Sequence, residues 1–150
     1  MKKYLWLLLL LFVIGCQRTE LSLDTFIEIA DFNGYVVEGD KSGYEEYDYI
    51  KEIYYAVNRE KAYMIQFLEI KDENYAKEFF NVNMEDLKSY EDRNSYVKKY
   101  IRNHTSLYHL ETEENYMFVS RLKNNILYVK APINYINEIE EFFEELEIDY

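Results

Sequence analysis

Apolar residues in this chain recur with two different periods, and the order in which those periods alternate decides its fold class. Leu23, Phe26, Ile27 and Ala30 follow the i, i+3, i+4, i+7 spacing of one helix face. Ser22, or Thr25 together with Glu28, is placed to cap that helix, and Asn33-Gly34 to stop it. Tyr35-Val36-Val37 then reads as a short strand, with a loop at 39–43. Residues 53–57 and 62–70 are rich in Tyr, Ile, Val and Phe and flank a turn at 58–61, the pattern of a hairpin. Asp72 is placed to cap a second helix with Tyr75, Ala76, Phe79 and Phe80 on one face, a pattern that weakens towards Tyr90. Residues 97–110 read as one extended stretch, followed by an acidic turn at 111–115. Residues 116–122 and 126–130 form the clearest hairpin, with Asn124-Asn125 suited to the positive φ angles of its turn. Pro132, the only proline, opens the last helix, where its missing N–H costs no hydrogen bond. Ile133, Ile136, Ile139, Phe142, Phe143 and Leu146 give that helix a sustained apolar stripe. The order αβββαβββα predicts an α+β fold, an antiparallel sheet with helices packed on it.

Composition narrows the function classes. At 49% hydrophobic residues the chain of 150 is too apolar for wholesale disorder, and it is long enough for one domain with a real core. A formal net charge of −12 excludes a nucleic-acid binder that works through a broadly basic surface. One cysteine excludes a disulfide framework and any Cys-rich zinc site.

That cysteine sits in the most specific motif of the chain. Lys2 and Lys3 precede an unbroken apolar run from Tyr4 to Ile14. Eleven residues fall short of the roughly twenty that a membrane-spanning helix needs, but suit the apolar region of a secretory signal. The run ends in Val13-Ile14-Gly15-Cys16, which resembles the lipobox of bacterial prolipoproteins. Only Ile14 departs from the usual pattern, where smaller residues are commoner. The resemblance implies a signal peptide over 1–15 and a lipid, palmitate-type acylation included, on Cys16. It also implies a short tether at 16–21 and a single domain over 22–150. Two or three acyl chains give stable attachment, whereas one would be marginal.

The mature chain would keep 15 of 17 basic residues and all 29 acidic ones, a charge of −14, so lipid and not electrostatics must hold it at the membrane. Localisation is then expected on the extracytoplasmic side of the cell membrane, in the cell envelope. Gln17, not Asp, follows Cys16, which by the sorting rule of two-membrane bacteria permits transfer to the outer membrane. Over 116–150 the body also resembles small lipoproteins of AT-rich bacteria, through Ser120-Arg121, Asn124-Asn125, Tyr128-Val129 and the helix from Ile136 to Leu146. That likeness implies no activity.

Candidate sites are weaker. His104 and His109 are five residues apart and face opposite ways on a strand, so they form no local metal pair; a third ligand elsewhere would rescue one of them, but both are expected to be ordinary, partly exposed histidines. The acidic groups, Glu111 with Glu113-Glu114 among them, lack the spacing of a calcium loop, so neither metal nor cofactor is expected. Arg93, Lys98, Lys99 and Arg102 lie in a stretch without acids, a candidate patch for an anionic partner. Glu138, Glu141 and Glu145 lie opposite the last apolar stripe, with Glu140 on its flank, a candidate face for a cationic partner. The abundance of Tyr suggests a stacking surface, although codon bias explains it equally well.

No nucleophile elbow, P-loop, dinucleotide fingerprint or H-E-x-x-H occurs, so the chain is expected to be no enzyme. The leading expectation is a lipid-anchored module that binds a protein or peptide. An immunity-type lipoprotein that captures a cationic antibacterial peptide is the alternative. A wall-directed hydrolase built on two carboxylates that meet only in space is the third.

Overall fold

The computed structural model describes residues 21–148. The expected signal peptide over 1–15 and the expected lipidation at Cys16 therefore lie outside the described residues.

Helix α1 (Leu23–Phe32) starts where Ser22 accepts a hydrogen bond from the Thr25 amide at 3.1 Å, so Ser22 and not Thr25 is the cap. It stops at Asn33, and Gly34 turns the chain with φ of +75°. Strands β1 (Val36–Gly39), β2 (Ile50–Val57) and β3 (Met64–Ile70) come next as an antiparallel meander. Asp72 then caps helix α2 (Glu73–Lys88), accepting from the Asn74 and Tyr75 amides. That helix buries Ala76, Phe80, Met84 and Leu87, one turn-spaced stripe, and leaves Tyr75 exposed.

The expected six strands become seven among the described residues. The stretch 97–110 is not one extended segment but two antiparallel strands, β4 (Tyr96–Ile101) and β5 (Thr105–Glu111), around a turn at 102–104. Strands β6 (Asn115–Leu122) and β7 (Asn125–Pro132) complete the sheet. Their turn takes its positive φ at Lys123 (54°), not at an asparagine. Asn124 and Asn125 instead spend their side-chain amides on the carbonyls of Ile70 and Leu21. Pro132 ends β7 and leads through a 3-10 turn (Ile133–Tyr135) into helix α3 (Ile136–Glu145).

All neighbours in the sheet are antiparallel, in the order β1-β2-β3-β7-β6-β5-β4, so two meanders meet at the β3–β7 pair. Both faces are covered. Helices α1 and α3 bury Phe26, Ala30, Ile139, Phe142 and Phe143 against Phe67, Phe118, Leu127 and Val129. On the other face α2 packs on Ile53, Leu68, Tyr108, Met117, Val119 and Ile126. Central strands buried on both faces read as continuous apolar runs, which is why β6 shows no clean alternation.

One row across the sheet changes character from end to end. On the α1/α3 face, Val37, Ala56, Ile65, Val129, Phe118, His109 and Lys98 are successive cross-strand partners. Five apolar positions give way to a histidine and a lysine at the β5–β4 margin.

Candidate functional site

The chemistry at that margin is built from three elements. On β5, His109 and Glu111 are two residues apart and share a face. Across the strand pair, Lys98 stands opposite His109 and Tyr96 opposite Glu111. Helix α3 supplies Glu140, brought in because Phe143, one turn further on, stacks on Phe118 with ring centroids 4.4 Å apart. Together Tyr96, Lys98, His109, Glu111 and Glu140 line a surface pocket of about 360 Å³.

His109 is 4% exposed, which corrects the expectation of a partly exposed histidine. Its ring is enclosed by Tyr96, Tyr116 and Phe118, with centroids 5.8, 4.8 and 6.4 Å away. Burial, reinforced by the Lys98 charge, pushes the imidazole pKa down to about 4, so the ring is neutral at pH 7. Nε2 lies 3.1 Å from Glu111 Oε1 but off the hydrogen-bonding direction, and it has no hydrogen-bond partner among the described residues. Burial raises the Glu111 carboxyl. Burial likewise raises Glu140, with Glu111 and Glu144 adding to the effect and Lys98 opposing it. One ligand atom from each of His109, Glu111 and Glu140 lies within 4.8 Å of the other two. Both acids thus shift upward and face the same imidazole nitrogen.

The other histidine sits at the opposite end of β5 in a network of hydrogen bonds. His104 Nδ1 is 3.0 Å from both Glu73 carboxylate oxygens, and its Nε2 is 3.1 Å from the Asn103 amide. Arg121, fully buried, donates to Glu73 at 3.0 Å, to the carbonyls of Lys123, Arg102 and Asn103, and to Ser106 Oγ. Burial would raise the Glu73 carboxyl, but the hydrogen bonds from His104 and Arg121 outweigh it and hold the group below its ordinary range. This network ties α2 to the β4–β5 and β6–β7 turns. A groove of about 560 Å³ beside it is lined by Leu21, Leu23, Phe67, His104, Leu122 and Asn125 among others, where the described chain begins.

The four candidate cations do not form one patch. Arg93 is exposed in the α2–β4 connection, and Arg102 lies in the β4–β5 turn with its guanidinium 5.4 Å from the Tyr100 ring centroid. Lys98 and Lys99 point to opposite faces of β4, Lys98 into the histidine pocket and Lys99 beside Tyr108 on the α2 side. The candidate acidic face is also divided. Glu138 accepts hydrogen bonds from Lys61, Tyr35 and Tyr63. Those contacts outweigh burial and hold its carboxyl low, so Glu138 is spent inside the domain. Glu145 accepts from Asn33 Nδ2 at 2.7 Å, and Glu141 is exposed. Several tyrosines face one another. Tyr44, Tyr47, Tyr49 and Tyr75 form a chain of ring contacts ending in a stack with planes 8° apart.

Sequence reasoning compared the two histidines with each other and missed the pair His109–Glu111. The i, i+2 spacing on a strand was the available signal. Glu140 carried none beyond its place on the helix flank. No protein-family model matches the chain, and no curated protein or solved structure compared with it matches either.

Proposed function

We propose that this protein is a lipid-anchored, extracytoplasmic module that holds an extended segment of a protein or peptide along strand β4, without enzymatic activity. One observation carries the reading. Strand β4 is the last strand of the sheet, so its outer backbone groups have no strand partner among the described residues. It exposes Tyr96, Val97 and Ile101, at 54%, 40% and 56%. Such an edge adds an extended peptide through main-chain hydrogen bonds, with side chains on both faces reading the guest. Six residues offer about 20 Å of pairing.

Charge selects the guest. Arg93, Lys98, Lys99 and Arg102 line or flank this edge, while the rest of the mature chain is strongly acidic. Two β4 edges brought together would face their lysines against each other, which disfavours pairing between copies. An acidic strand meets no such cost.

The lipobox motif and the short tether support the location. Leu21 is buried, and its carbonyl accepts from Asn125 at 2.6 Å, so the body is tied down five residues after Cys16. Five links reach at most about 18 Å, which keeps the domain against the membrane surface.

The test is a cross-linking pull-down of the full, lipidated protein from its own membranes. A stoichiometric partner is expected, lost with Cys16→Ser and weakened with Lys99→Glu. Retrieval of no stoichiometric partner overturns the reading, and a partner indifferent to Lys99→Glu overturns the role of β4.

A further inference from the structure

We propose that His109, Glu111 and Glu140 bind one divalent first-row transition-metal ion, with zinc as its natural probe. The inference is independent of the anchor and of any partner on β4. Three potential ligand atoms from two different elements lie within 4.8 Å of one another, with His109 Nε2 and Glu111 Oε1 already at 3.1 Å. Zinc bonds to imidazole nitrogen and carboxylate oxygen run at about 2.1 Å, so tetrahedral ligands stand about 3.4 Å apart. Rotation of the two glutamate side chains covers the difference.

Acid clusters alone are common on proteins, and this one differs in its histidine. His109 is 4% exposed, and its Nε2 faces the two carboxylates without a hydrogen-bond partner among the described residues. A buried polar atom left in that condition costs free energy, and an ion at the pocket centre would relieve the cost. The neutral imidazole is the form that ligates.

The ligand set also selects the ion. One imidazole and two carboxylates suit zinc and its first-row neighbours, whereas calcium and magnesium prefer oxygen donors alone. With Glu111 and Glu140 ionised and Lys98 beside them, the pocket carries one net negative charge, and Glu144 adds to the field at Glu140. Lys98 therefore tempers affinity for a cation without cancelling it. Three protein ligands leave at least one coordination position, on the solvent side bordered by Tyr96 and Lys98, for water or a donor from a partner.

The experiment is isothermal titration calorimetry on the tag-free full chain, solubilised in detergent, stripped with EDTA and titrated with zinc chloride. A saturable 1:1 event is expected, with calcium and magnesium giving none at the same concentrations. Partners outside the coordination sphere are themselves worth about tenfold. Loss of a direct ligand in His109→Gln or Glu140→Gln should therefore weaken binding by at least that much. Glu140→Gln changes only a partly exposed helix position, so it retains the fold if His109→Gln does not. Lys98→Met should tighten zinc binding severalfold. No 1:1 event into the millimolar range, or binding unchanged in Glu140→Gln, overturns the proposal.

Discussion

The two histidines stand five residues apart and meet opposite fates. At one end of β5, His104 is exposed, and Glu73 beside it is matched by the buried guanidinium of Arg121. That network pairs Glu73 with a cation and holds three pieces of backbone together, although Arg121 Nε itself has no hydrogen-bond partner among the described residues. At the other end His109 is buried against two carboxylates, and its Nε2 has no hydrogen-bond partner among the described residues. A histidine beside an acid therefore carries little information by itself. Whether the fold also supplies a buried cation decides if the cluster is a clamp or a site.

The contrast between clamp and site is most directly challenged by removing the clamp's cation. Arg121→Met leaves the carbonyls of Arg102, Asn103 and Lys123 short of a donor and Glu73 short of its cation. A loss of roughly 3 kcal/mol in urea unfolding is expected. An unchanged midpoint would show that the network is ornamental.

His109 should behave in the opposite sense. In metal-free protein, His109→Leu removes a buried polar atom that has no hydrogen-bond partner among the described residues. The variant should be as stable as the parent or more so, by up to about 1 kcal/mol. Loss of more than that would assign His109 an internal partner in solution.

Acid separates the two ends of β5 further. Glu73 is held below its ordinary pKa in the folded state, so its contribution is fully present above the unfolded value of about 4.3 and fades as pH falls below it. Glu73→Gln should flatten the acid limb of stability between about pH 5 and 3, read by thermal melts across that range. A limb of the same slope in the variant would place the acid sensitivity elsewhere.

The smallest effect belongs to His104→Gln. Its pair with Glu73 is solvent-exposed, so stability should move by less than about 0.5 kcal/mol, and zinc titration should be unchanged. A weakened zinc isotherm in this variant would reverse the assignment of the two histidines.

Local pattern made much of the fold legible. The Asp72 cap, the 116–130 hairpin and the final amphipathic helix are set by neighbours within a few residues and stand in the structure, as does the α1 stripe apart from Ile27, which is exposed. The β4–β5 turn was illegible because residues 97–110 contain neither Gly nor Pro to mark it. The turn is closed by the Arg102 amide donating to the Thr105 carbonyl at 2.8 Å, and Arg121, nearly twenty residues later, braces it through the carbonyls of Arg102 and Asn103. The left-handed turn residue is Lys123, while both asparagine side-chain amides are spent elsewhere, on Ile70 and Leu21.

The class of fold was thus written in the chain, because periodicity is local. The placing of Glu111 beside His109 on one face of a strand was not, because the acids from Glu111 onward read as a turn. Packing alone brought Glu140 to join them, gave Glu138 to Lys61, and left the cations of 93–102 lining or flanking an open sheet edge. Those outcomes depend on which helix packs over which strand. That choice is made by the apolar core, and the charged side chains are carried to wherever it leaves them.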